Sequence, residues 1–190
     1  MCYTYISQER KGYSKMKSNY KIRAEKFLRS IYNDICANLN NPCEIDTTMW
    51  AYAISHKRKI WVKWGCSRCA IITSDYVIKW DYDAGSVAEV GGVELESTVY
   101  ERAVNAGYGY LFAECTLIEI DGHIFSIMPR IGGIGRCAHK KGAIENYLTD
   151  DEINFINGII IDMHSENWGL KNNYPVIIDY AYTVELCESW

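Results

Sequence analysis

No run of apolar residues in this 190-residue chain approaches the ~20 that cross a bilayer. The opening Met1-Cys2-Tyr3-Thr4-Tyr5 is polar and lacks the form of a secretory signal. Both absences predict a soluble, cytoplasmic protein without a membrane partner. Cys66-Ser-Arg-Cys69 has the spacing of a zinc knuckle or a redox motif, but no second pair stands at a matching distance. The eight cysteines therefore read as scattered thiols and core fillers, and a thiol or zinc protein is the weakest of three readings. An excess of positive charge is lacking too. The net charge is −4, which argues against nucleic acid as a partner.

The charge that is present lies unevenly. Residues 1–63 hold 12 Lys and Arg against 5 Asp and Glu, whereas residues 64–190 hold 8 against 19. A basic head on an acidic body either packs against that body or meets an acidic partner, and the first needs no other molecule. Within the head, Tyr20, Ala24, Phe27, Ile31, Ile35 and Leu39 recur every three or four positions, with Leu28 and Cys36 widening the stripe. This predicts one amphipathic helix over about Ser14–Leu39. Asp46-Thr47-Thr48 reads as the cap of a short helix over Met49–Ile54.

Ile60 to Trp64 alternates apolar and polar residues and predicts a strand, followed by a turn over Gly65–Arg68, a return strand from Cys69 to Ile72 and a third over Tyr76–Trp80. Asp81 to Gly92 reads as a loop and Val93 to Ala106 as a helix closed by Gly107. Leu111–Ile120 and His123–Met128 are apolar runs joined by Asp121-Gly122, a two-residue hairpin signal. Residues 132–141 read as a basic loop. Thr149-Asp-Asp-Glu152 has the form of a capping box, opening a helix to about Asn157. Ile159 to Ile161 then delivers Asp162, and Trp168-Gly169 starts a hairpin that returns through Pro175–Ile178 to Asp179.

Asp162, Asn167 five positions later and Asp179 twelve beyond that are oxygen-bearing residues of the kind that position a metal-bound polyphosphate. Asp162-Met-His-Ser-Glu-Asn167 and Ile177-Ile-Asp179-Tyr-Ala181 resemble the catalytic and metal-binding loops of protein-kinase-like phosphotransferases. The His two places after the Asp is similar to aminoglycoside and choline kinases and to a small phage kinase. The resemblance implies Asp162 as catalytic base, His164 as a loop or phosphate contact, and Asn167 and Asp179 as ligands of Mg²⁺. It makes Val77-Ile78-Lys79 the strand whose lysine grips the phosphates of ATP, with Glu96 as its best-fitting partner and Glu101 the second choice. Gly65 and Ser67 stand where the phosphate-covering loop would be, with Arg68 as a further donor, although one glycine replaces the usual two or three. Met128 and Arg130 stand at the hinge expected to meet adenine.

The implied fold is α+β and protein-kinase-like. Residues 1–59 would form an N-terminal helical extension, and residues 60–190 a minimal kinase-like domain with an antiparallel small lobe (60–130) and a severely shortened large lobe (131–190). Two functions follow from it. One is a compact ATP·Mg²⁺-dependent phosphotransferase acting on a protein or a small molecule. The other is a kinase-like binding module, phage-encoded and at work in the cytoplasm of a bacterial host, that binds and inhibits a host protein. Each residue also has a plainer use. Asp and Asn cap turns, lysine ends edge strands, and a glutamate in a first helical turn favours the helix dipole.

Overall fold

The computed structural model describes residues 20–32, 60–64, 68–81, 92–133, 144–161, 164–181 and 183. The short helix expected over Met49–Ile54, together with Asp162, Gly65, Cys66 and Ser67, lies outside them. The described chain is α+β, with three α-helices, a five-stranded antiparallel sheet and a separate three-stranded sheet.

The larger sheet has the order β1-β2-β3-β5-β4. Its strands are β1 (Trp61–Trp64), β2 (Arg68–Ile72), β3 (Tyr76–Asp81), β4 (Thr116–Ile120) and β5 (His123–Pro129). Strand periodicity sorts its side chains between two faces. Cys69, Ile71, Ile78, Trp80, Phe125 and Ile127 point to one face and join a core with helix α1 (20–32), which contributes Tyr20, Ala24, Leu28, Ile31 and Tyr32. The described helix of the basic head therefore packs on the body, and Lys21–Glu114 and Arg23–Asp75 pair across that junction, each at 2.8 Å. The helix covers the outer face of the five-stranded sheet.

The other face of the sheet carries Arg68, Lys79, Ser126 and Met128 by the same alternation, and there it meets helix α2 (Gly92–Asn105). The apolar residues Val93, Val99 and Ala103 of α2 are buried, and so is Glu96. The hairpin between β4 and β5 turns at Asp121 and Gly122, whose φ angles of 49° and 83° are left-handed, as the Asp-Gly pair requires. The apolar run from Leu111 does not form one long strand. A 3₁₀ turn occupies Gly109–Leu111, Phe112 pairs in parallel with Ile177, and β4 begins only at Thr116. The Ala113 N–H donates to the Ile177 carbonyl at 2.8 Å, which satisfies a backbone pair between the two sheets.

The smaller sheet comprises β6 (Gly132–Gly133), β7 (Trp168–Lys171) and β8 (Tyr174–Ile177). Strand β6 falls in the stretch expected to be a loop. It is possible because Gly169 stands opposite Gly133, where an added Cβ would lie 2.7 Å from Ile131 Cγ2 and 2.9 Å from the Gly132 carbonyl oxygen. Helix α3 (Asp150–Asn157) opens with the expected reciprocal cap between Thr149 and Glu152. Trp168, Val176, Ile177 and Tyr180 then pack with Phe112, Val99 and Ile156 in a second core. No helix among the described residues is long and apolar enough to cross a membrane.

Candidate functional site

The second core ends in a cluster of four charged side chains. Lys79, near the middle of β3, stands in the central strands of the sheet with its neighbours supplied by β2 and β5. Its Nζ lies 2.6 Å from Glu96 Oε1. Glu96 is fully buried in α2, whereas Glu101 is exposed, so the helix face selects between the two candidate partners. A buried carboxylate needs compensating charge and hydrogen bonds. Glu96 Oε1 receives both, because the Arg68 Nη1 lies 2.7 Å away and the Tyr180 N–H donates at 3.4 Å.

Asp179 follows β8, two residues past the buried Ile177. Its Oδ1 accepts a hydrogen bond from Arg68 Nη2 and lies 3.6 Å from Lys79 Nζ. Lys79 also donates to the Ile178 carbonyl at 3.0 Å, which fixes the chain just before the carboxylate. The cluster thus carries two cations and two carboxylates, with both cations on the same oxygen of each acid. Desolvation by its neighbours would raise the Asp179 carboxyl, but Lys79 and Arg68 outweigh it and hold the group down at about 2. The Arg68 guanidinium is likewise pushed upward. Burial opposes the shift, and the fields of Glu96 and Asp179 exceed it.

The remaining sequence candidates divide. Asn167 is buried at the end of a 3₁₀ turn over Ser165–Asn167, and its carbonyl accepts from the Ile178 N–H at 2.7 Å. This places Asn167 directly across the hairpin from the residue before Asp179. His164 precedes that turn, and its carbonyl accepts from the Asn167 N–H at 3.0 Å. Met128 is buried in β5 opposite Val77, within the second core. Arg130 is used elsewhere. Its N–H donates to the Asp75 carbonyl, its Nη1 donates to the Thr73 carbonyl at 2.8 Å, and its guanidinium lies 5.2 Å from the Trp61 ring centroid. These partners sit at the end of β2 opposite Arg68.

The electrostatic weight of Arg68 goes beyond the part its sequence position suggested. Read as part of a turn, it is one more backbone-adjacent donor. In the structure it is the first residue of β2, opposite Asp81, and its side chain reaches both acids of the cluster. The only sequence sign was an arginine at the end of a turn, and its partners lie 28 and 111 positions away.

The cluster bears on whether Mg²⁺ suits this site. Asp179 Oδ1 is already taken by a guanidinium, with an ammonium nearby. A divalent ion bound to the same oxygen would stand against two cations, so as built this carboxylate does not fit a metal. Among the described residues no three His, Cys, Asp or Glu side chains group as a metal site. Cys69 and Cys115 are buried. Burial, reinforced by Glu96, raises the Cys115 thiol to about 12, which removes it as a nucleophile at neutral pH.

A second carboxylate cluster has a structural explanation. Glu152 Oε1 accepts from the hydroxyls of Tyr110 at 2.6 Å and Tyr174 at 2.8 Å, while Oε2 accepts from Thr149. This acid is fully hydrogen-bonded and ties α3 to the β7–β8 hairpin.

No family model matches the chain, and no curated protein matches it. Among solved structures, the chain is similar to WbdD in its co-crystal structure with the kinase inhibitor LY294002, with a TM-score of 0.36 and 14% identity. The match covers 64% of this chain and 32% of that chain.

Proposed function

We propose that the protein is a compact kinase-like phosphotransferase that binds ATP beside Lys79. The observation that carries this reading is the buried Lys79–Glu96 pair at 2.6 Å with Asp179 3.6 Å from the same ammonium. Three residues that the kinase resemblance singles out lie together there, brought from a sheet, a helix and a hairpin. In this reading Lys79 holds phosphate oxygens, and Glu96 keeps the lysine extended toward them. Asp162 takes the proton of an acceptor hydroxyl as that oxygen bonds to the γ-phosphorus and ADP departs. Gly65, Ser67 and Met128 would border the nucleotide, His164 would support the Asp162 loop, and Arg130, held at the far end of β2, is left out of the site. Asn167 and Asp179 are the side chains that the resemblance makes metal ligands. Asp179 is committed to Arg68, so no step is routed through Mg²⁺.

The Arg68–Asp179 bridge favours a second reading, a kinase-like module that binds nucleotide or a protein without turnover. γ-Labelled ATP separates the two, assayed with and without Mg²⁺. Transfer of label to the protein or to an acceptor, or release of labelled phosphate, that disappears in Lys79→Met supports the enzyme. ATP binding with neither transfer nor hydrolysis overturns the enzyme and leaves the module.

A further inference from the structure

Arg68 has one partner that is sealed and one that is open. The Glu96 side chain is 0% exposed, whereas the Asp179 side chain keeps 43% of its surface accessible. The arginine stem is fixed between them. It runs beside Asp81 and Gly92, where an added Cβ would lie 2.9 Å from Arg68 Cδ. Asp81 Oδ2 in turn accepts from the Val93 N–H at 3.1 Å. At the head group, Nη1 lies 2.7 Å from Glu96 without a well-aligned hydrogen bond, and Nη2 donates to Asp179. A guanidinium held from behind by a buried acid, and from the front by an exposed one, can exchange only the front partner.

A polyphosphate approaching from the open side therefore meets two fixed cations, Arg68 and Lys79, whose reach to Asp179 it can replace. A planar guanidinium suits two phosphate oxygens at once and remains charged at every relevant pH. We infer that Arg68 is a phosphate-binding residue taking the electrostatic place of a divalent ion, so that the site binds a nucleoside triphosphate without metal. This rests on reading the cluster as a nucleotide site. It adds the cation that neutralises the phosphates, and that cation belongs to the protein.

The test is calorimetric titration with ATP, in excess EDTA and then in MgCl₂, on the wild-type chain, Arg68→Gln and Arg68→Lys. The wild type is expected to bind in EDTA within about threefold of its affinity in Mg²⁺, with AMP much weaker than ATP. Arg68→Gln is expected to lose about tenfold of the metal-free affinity, and Arg68→Lys to recover part of it. Wild-type binding that requires Mg²⁺ overturns the inference and leaves the nucleotide site standing. Undiminished EDTA binding by Arg68→Gln also overturns it. Absence of ATP binding in both buffers overturns the inference and the nucleotide site together. The wild-type comparison needs no variant, so a poorly folded Arg68→Gln does not block the decision.

Discussion

Lys79 donates to the Ile178 carbonyl at 3.0 Å while pairing with Glu96 at 2.6 Å, so one ammonium joins the central sheet, helix α2 and the C-terminal hairpin. Replacing it by Met leaves the buried Glu96 with Arg68 and the Tyr180 N–H and removes the donor to Ile178. The expected loss is about 3 kcal/mol, seen as a lower denaturant midpoint with an unchanged slope. The double variant Lys79→Met, Glu96→Gln is expected to be destabilised by less than the sum of the singles, because the neutral amide no longer needs the cation. Additive losses would show that the pair is not coupled.

Glu152 gives the chain a pH dependence of known sign. Burial raises its carboxyl, but the Thr149 N–H and the Tyr110 and Tyr174 hydroxyls outweigh this and hold it below the usual carboxylate range. Its contribution is present above the ordinary carboxylate value and is lost as pH falls through the lowered one, since the unfolded chain then binds the extra proton. Unfolding curves over that acidic window should be steeper for wild type than for Glu152→Gln. Thr149→Ala, which deletes the reciprocal cap, should cost about 1 kcal/mol at neutral pH.

Leu28 tests whether α1 is an integral layer. It is fully buried against the outer face of the five-stranded sheet. Leu28→Ala is expected to lower stability by about 3 kcal/mol. Ile22→Ala, on the exposed side of the same helix, should change it by less than about 0.5 kcal/mol. Equal effects of the two in chemical denaturation would mean that the helix does not depend on that face.

Tyr180 carries a hydroxyl that is buried with its ring and donates to the Ala113 carbonyl at 2.6 Å. Tyr180→Phe preserves the packing against Phe112 and leaves that carbonyl without this donor. The expected cost is about 1–2 kcal/mol. Because the backbone N–H of Tyr180 still meets Glu96, ATP affinity should stay within about twofold of wild type, which the calorimetric titration also reads.

Local rules recovered the parts of the fold that local residues determine. The alternation of β1 to β3, the Asp121-Gly122 turn and the Thr149–Glu152 cap all follow from neighbours a few positions apart. Lys79 and Glu96, which the kinase resemblance pairs, lie 2.6 Å apart, and α2 buries Glu96 while leaving Glu101 exposed. Contacts set by distant chain were not legible. Leu111 to Ile120 looks like one strand until the Ile177 backbone claims Phe112 and Ala113. Gly132-Gly133 looks like a loop until β7 brings Gly169 against it. The bond from Arg68 to Asp179 spans 111 positions and leaves no local mark. For the site, the resemblance singled out Lys79, Glu96 and Asp179, which lie together, but not the arginine's hold on both carboxylates.

The two sides of the five-stranded sheet mature at different moments of vectorial synthesis. Its outer layer is complete once α1 and β5 have left the ribosome. The inner layer waits for Ile177 and Tyr180, because the Ala113 N–H donates to the Ile177 carbonyl, while Glu96 and the Ala113 carbonyl accept from Tyr180. During that interval the nascent chain presents an apolar surface around Phe112, Leu111 and Met128, with a charged acid at its centre. Exposed surface of this kind recruits chaperones. The C-terminal hairpin is thus the step at which the growing chain is released from that hazard, and also the step that assembles the ion cluster.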